Sequence, residues 1–413
     1  MILRARVVLP ISRPPLENGA VEITRNKVAA VGAWPSLRAG QGPVVDLGDR
    51  ILAPGLVNGH CHLEYTRMAG RLPAAIPFVE WIQAIIASKQ RWSDAVFQRS
   101  WLAGARMLLR HGVTSVADIS AVPHLLEQVL PQSPLRVFSF LEVIGPDNKP
   151  PAVDLVRRAR ESIKALSTLP GSRGLSPHAL YSTTPELMRA CAALGRKHRW
   201  RLTSHVAESA AEFDMFRHGR GPLHAWLQSR RDMGDCGRRT PVQQLAQLGV
   251  LGPGFLAVHA NYLTPSDINL LGESQAHVVH CPRSHAFFGH RPFPAAKLIR
   301  ANVNLCLGTD SLASVKERSG LEPELDLFAE MRALVQAVPG LEPATVVRLA
   351  TINGARALGW PGRIGELTPG ADADLIAIPY AGTPKEAYAA LVNHTGPVSA
   401  AMTAGCWLPG LAY

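Results

Sequence analysis

Between residues 56 and 309 the chain repeats one alternation, a short apolar stretch followed by helical patterning, and this alternation narrows the possible folds most. The apolar stretches are Leu56–His62, Thr114–Ile119, Arg136–Val143, Gly174–Tyr181, Arg201–Val206, Phe255–Tyr262, His277–Cys281 and Asn302–Thr309. Helical spacing lies between them, as in 78–89, where Phe78, Val79, Ile82, Ile85 and Ile86 share a face, and again in Leu325–Val335. Strands separated by helices pair in parallel, and eight such units close a barrel. The expected class is therefore α/β, a (β/α)8 TIM barrel. The two ends read differently. Ile2–Val8, Gly19–Ile23, Lys27–Val31 and Val44–Asp46 alternate in strand fashion with Gly, Pro and Asn punctuation, and residues 365–378 and 398–406 resume that style. A small β-sandwich domain formed by the N- and C-terminal segments, 1–53 plus 360–413, is expected to flank a catalytic barrel at 54–359. A length of 413 residues accommodates both, since such a barrel needs about 250. The stretch Gly219–Thr240, rich in Arg and Gly, reads as an insertion after the fifth strand.

Hydrophobic residues make up 47% of the chain and charged ones 18%, which is ordinary for a globular protein. No stretch approaches the ~20 apolar residues of a membrane span, and residues 1–10 do not read as a signal peptide. Six scattered cysteines without a Cys-x-x-Cys pair fit reduced thiols and a cytoplasmic location. The net charge of +11 is spread over doublets such as Arg157-Arg158, Arg230-Arg231 and Arg238-Arg239 rather than one run, so no nucleic-acid or membrane partner is expected. The field can at most help gather an anionic small molecule.

The strand candidates end on residues with chemistry. His60 and His62 stand two apart, so on a strand both imidazoles point to one face, where they can grip one divalent ion. The fourth strand runs into His178, the fifth into His205 and Glu208, the sixth carries His259, and the eighth ends Gly-Thr-Asp310. In such barrels reactive groups sit at the C-terminal ends of the strands. Each residue alone could be a core histidine on a carbonyl or an aspartate capping a helix; five at one end of one barrel argue for a site. His62-Leu63-Glu64 matches the opening of a cytidine-deaminase-type zinc motif, but the Pro-Cys-x-x-Cys partner is missing, which excludes that fold.

His-x-His after Pro-Gly-Leu-Val-Asn, a histidine with Glu three residues on, a later histidine and Gly-Thr-Asp together resemble the metal-dependent amidohydrolase superfamily. The resemblance spans nearly the whole chain and is strongest to its mononuclear deaminase and chlorohydrolase branch. It implies one divalent metal ion, zinc with iron as the alternative, held by His60, His62, His205 and Asp310. It also implies that Glu208 shuttles a proton to a ring nitrogen and His259 polarises the attacking water, with Asp310 taking that water's proton. Binuclear relatives carry a bridging lysine at the end of strand four; His178 in that region points to a single metal and a substrate-facing histidine.

The substrate pocket is expected from Glu64 and Tyr65, the helix around Trp81, His178, and a binding loop over 281–290 with Arg283 and Ser284; that loop could instead be packed, stapled by Phe287 and Phe288. With Gly-Thr-Asp-Ser-Leu-Ala-Ser it is similar to aminodeoxyfutalosine deaminases of the alternative menaquinone route. Adenosylhomocysteine/methylthioadenosine deaminases place a ribose-binding Glu beyond the Trp81 helix, where this chain reads Ser88-Lys89-Gln90-Arg91. The resemblance thus implies a hydrolytic aminohydrolase that releases ammonia from the 6-amino group of an adenine-type nucleoside. Alternatives on the same metal are an adenosylhomocysteine/methylthioadenosine deaminase, a free-base deaminase or a triazine hydrolase. The partner is a small molecule, and a homodimer follows by analogy with relatives.

Overall fold

In the computed structural model, which describes residues 1–38, 42–73, 76–316 and 322–412, the chain passes from one sheet to another at a single glycine. Strands β1 (Ile2–Val8), β2 (Leu16–Thr24), β3 (Lys27–Ala33), β4 (Val44–Asp46) and β5 (Arg50–Pro54) belong to the first sheet, and β6 (Leu56–Cys61) opens the second. Gly55 lies between β5 and β6, where a Cβ would stand 2.0 Å from the Thr114 hydroxyl oxygen.

The second sheet is the barrel. β6, β7 (Val113–Ser120), β8 (Arg136–Val143), β9 (Ser172–Pro177), β10 (Leu202–Val206), β11 (Phe255–His259), β12 (His277–His280) and β13 (Asn304–Leu307) bond in that order, each parallel to its neighbour. The backbone N–H groups of Thr309 and Asp310 donate to the carbonyl of His60 at 3.0 and 3.1 Å, joining the last strand to the first. Gly308 permits this approach, because a Cβ there would meet the His60 carbonyl at 2.8 Å. All eight expected strands are present, and several are shorter than the apolar runs suggested. β11 stops at His259 because His259 and Ala260 turn into the left-handed region, at φ 71° and 50°. β13 begins only after Asn302, which has φ 56°.

Two layers of apolar side chains hold the barrel. Phe140, Leu256, Val258 and Val279 fill its interior with Leu358 and Ile364 packed against them, and a larger cluster joins the strands to the outer helices. The helices are punctuated where the sequence offers caps: Thr184, Ser209, Thr240 and Thr264 each accept an N–H of the turn that follows. Among the described residues no helix is long and apolar enough to cross a membrane.

The terminal sheet is completed by β14 (Leu375–Pro379), β15 (Ala400–Thr403) and β16 (Cys406–Trp407). β14 runs antiparallel to β5, with Leu375 opposite Pro54, so the two ends of the chain are knitted edge to edge. The sheet wraps its own core, including Leu3, Val21, Leu52, Leu375 and Met402. Arg136, at the start of β8, reaches this module, forming ion pairs with Asp374 at 3.0 Å and Asp372 at 3.4 Å.

Candidate active site

The strand ends bring His60, His62, His205, His259 and Asp310 into one buried cluster. The rings of His60 and His62 lie 4.9 Å apart, His60 and His205 5.1 Å, and His205 and His259 5.4 Å. Asp310 Oδ1 is 3.6 Å from His60 Nε2 and 3.8 Å from His62 Nε2. His62 Nε2 and His205 Nε2 face each other at 3.4 Å. His205 Nδ1 donates to the carbonyl of His178 at 2.9 Å, so the Nε2 of a neutral ring keeps its lone pair for the cluster. His259 and Asp310 both hold left-handed backbone, at φ 71° and 54°. Such conformations cost about 1–3 kcal/mol each and persist only where surrounding structure enforces them.

A metal fits this donor set. His60 Nδ1 and Nε2, His62 Nδ1 and His259 Nε2 are buried without a hydrogen-bond partner, a costly state that a cation at the focus would relieve for the converging nitrogens. Burial pushes His62 and His259 well below the usual histidine range and His205 down to about 4, so these rings are neutral, as ligation requires. Burial opposes ionisation of Asp310, yet the close approach of His60 Nε2 and the nearby His259 hold it well below the ordinary aspartate value.

Glu208 follows β10 and stands 3.6 Å from His259 Nε2. Burial, then the negative charges of Asp310 and Glu212, push its carboxyl well above the usual glutamate range, which favours the protonated form. Its backbone is pinned from two sides: its N–H donates to Glu212 at 2.8 Å, and its carbonyl accepts from Asn261 at 2.9 Å. Asn261 is in turn 3.0 Å from His285 Nδ1.

A cavity of about 500 Å³ opens from the cluster. His62, His205, Glu208, His259 and Asp310 form its floor, and His178, whose Nδ1 is 2.7 Å from Ser182 Oγ, stands in its wall. The helix Phe78–Lys89 supplies Trp81, Ile82, Ile85 and Lys89. Trp226, Leu227 and Arg230 line it as well. These three come from the insertion Gly219–Thr240, which gave no functional signal in the sequence. Arg231 anchors that insertion by bonding Asp235 at 2.6 Å and the carbonyl of Leu180 at 2.8 Å. Glu142, at the end of β8, also lines the cavity; a charged residue inside an apolar strand was its only trace in the sequence.

Three residues expected in the pocket do not line it. Residues 282–288 are a helix rather than a binding loop. Arg283 turns away, donating to the Glu324 carbonyl at 2.8 Å and standing 3.7 Å from Glu330, while Ser284 is buried. Phe288 packs its edge on Trp81 at 5.1 Å, so the segment buttresses the pocket wall from behind. Glu64 is buried, accepting the N–H of Ala121 at 3.2 Å, and does not line the cavity.

The Amidohydrolase family model matches residues 51–407. The chain is 34% identical over 370 residues to a 5-methylthioadenosine/S-adenosylhomocysteine deaminase of Syntrophobacter fumaroxidans, covering 88% of this chain and 80% of that one. It is 32% identical over 358 residues to an aminodeoxyfutalosine deaminase of Deinococcus radiodurans, covering 83% and 81%. An adenosine deaminase of Xanthomonas campestris, solved with bound zinc, superposes with a TM-score of 0.84 at 27% identity, covering 98% of this chain and 92% of that one.

Proposed function

The chain belongs to the amidohydrolase family, and from that premise we propose that it hydrolytically removes the 6-amino group of an adenine-type nucleoside bearing a 5′ substituent, aminodeoxyfutalosine foremost. One observation carries the reading: the histidine–aspartate cluster and Glu208 sit at the floor of a single cavity whose lining beyond them is largely apolar. A reacting ring needs only the floor, and the remaining volume, lined by Trp81, Ile85, Trp226 and Arg230, suits a ribose and its 5′ group.

In this reading His60, His62, His205 and Asp310 hold one divalent ion, zinc with iron as the alternative. The chemistry such an ion supplies is a water acidified towards a pKa of about 7. His259 orients the attacking oxygen through its unpartnered Nε2. Asp310 accepts the proton that oxygen sheds. As carbon 6 becomes tetrahedral, Glu208 gives its proton to the adjacent ring nitrogen, which stabilises the developing charge. The proton held by Asp310 then goes to the amino group, which departs as ammonia while the carbonyl forms and the remaining hydroxyl proton returns to Glu208. His178, with Nδ1 tied to Ser182, presents its other nitrogen to the substrate.

The test is a ranking of kcat/KM by loss of adenine absorbance, with ammonia release as the check. Aminodeoxyfutalosine, methylthioadenosine and adenosylhomocysteine are expected to exceed adenine, guanine and cytosine by a wide margin. A free base or a triazine at the top of the ranking would refute the nucleoside reading and leave the metal site standing.

A further inference from the structure

A second cavity, of about 720 Å³, opens where β9 and β10 begin, at the end of the barrel away from the histidines. Arg160, Lys164, Arg173, Arg199 and Arg201 line it beside His198, and no carboxylate is among its lining residues. By contrast Arg157, on the same helix as Arg160, has a carboxylate partner, Asp154, at 3.2 Å.

Two of the guanidinium groups, Arg173 buried and Arg201 half-buried, have no carboxylate beside them among the described residues to offset their charge. Arg173 is only 8% exposed, directs Nη2 to the carbonyl of Pro170 at 3.0 Å, and leaves Nε buried and unpartnered. Arg201 donates to the carbonyl of Pro253 at 2.6 Å. Burial pushes the pKa of both downwards, the sign of a cation lacking its counter-charge. Buried cations are ordinarily matched by an anion, and planar guanidinium forks match phosphate oxygens best. Around them Arg160, Lys164 and Arg199 are exposed, so their charge concentrates anions at the mouth. Trp200 and Trp360 supply half-buried aromatic walls. The deaminase reading uses none of these residues.

We propose that this cavity binds a small molecule carrying a chain of phosphates, either an inorganic polyphosphate or a nucleoside triphosphate. The two share the phosphate chemistry and differ in whether a base rests on the tryptophans.

The experiment is isothermal titration of the metal-loaded protein with tripolyphosphate and with UTP, in excess magnesium so that neither strips the active-site metal. Both are expected to bind, and the double variant Arg160→Glu/Lys164→Glu, confined to exposed positions, is expected to weaken both at least about tenfold with its unfolding temperature unchanged. Arg158→Glu, on the same helix and outside the cavity, should leave binding intact. Trp200→Leu separates the sources: selective weakening of UTP upholds a nucleotide, and an equal affinity for both ligands, unmoved by that variant, upholds the phosphate chain alone. Absence of binding by the unmodified protein at millimolar ligand overturns the proposal. So does a loss in Arg158→Glu equal to that of the double variant, since that is the field of a protein of charge +11 and not a site.

Discussion

Glu212 accepts the backbone N–H of Glu208 at 2.8 Å, four residues away, from a position with no exposure to solvent. Ser209 caps the helix that begins between them by accepting the N–H of Glu212 at 3.1 Å, so the Glu212 carboxylate ties the first turn of that helix back to the backbone of Glu208. The Glu208 carboxyl stands 3.6 Å from His259, and a negative charge on Glu212, whose own pKa burial raises to about 7, pushes the Glu208 carboxyl further up.

Replacing Glu208 by Gln preserves shape and removes the transferable proton. Because positioned acids and bases contribute about 10²–10⁴-fold, kcat should fall by at least that range while metal content stays at that of the parent protein. Near-normal turnover would assign the proton transfer to another group.

Glu212 is a positioning residue in this scheme. Glu212→Ala leaves the Glu208 N–H buried and unpaired, which costs about 1–3 kcal/mol, and should lower both the melting temperature and kcat. Glu212→Gln keeps an acceptor and should restore the melting temperature. It removes a negative charge beside Glu208, so the acidic group in the kcat pH profile should move to lower pH. An unshifted profile would separate Glu212 from the proton donor.

His205→Ala removes a nitrogen from the centre of the cluster, and metal per chain measured by atomic absorption should drop together with activity. Full occupancy in that variant would take His205 out of the ligand set.

Arg230 lines the cavity from the insertion, its guanidinium 5.6 Å from the Trp226 ring. Arg230→Ala should raise KM about tenfold for a nucleoside with a carboxylate on its 5′ group, the scale of one charge-assisted hydrogen bond. Unsubstituted adenosine should be unaffected. Equal effects on both substrates would place Arg230 in the wall rather than at the anion.

Asp372 joins the terminal module to the barrel. It pairs with Arg136 at 3.4 Å, with Arg363 at 3.3 Å, and with Lys27. Burial alone would raise its pKa, yet the Lys27 hydrogen bond and the Arg136 charge outweigh it and hold the carboxyl below its ordinary value. A depressed folded pKa stabilises above the unfolded value of about 3.9 and ceases to do so as pH falls through the folded one. The melting-temperature difference between the parent and Asp372→Asn should therefore be full at pH 6 and shrink below about pH 4. A difference that grows on acidification would contradict the pairing.

Much of this was legible in the chain itself, because it depends on local pattern. Alternation of apolar strands with helical spacing yields eight parallel strands, and strand pairing then forces His60, His62, His205, His259 and Asp310 to one rim, since each ends or follows its strand. The substrate wall was not legible. Arg283, Ser284 and Glu64 have the right chemistry and lie near the right strand ends, but packing against Glu330 and Ala121 turns Arg283 and Glu64 away and Ser284 is buried. Trp226 and Arg230 come from an insertion whose place is set by the buried Arg231–Asp235 pair. The union of β5 with β14 joins residues more than 300 positions apart in a register no local signal encodes. A strand's period dictates which side chains share a face, whereas which way a loop or helix turns its polar groups is decided by whatever distant residues satisfy them, and that is known only once the chain has folded.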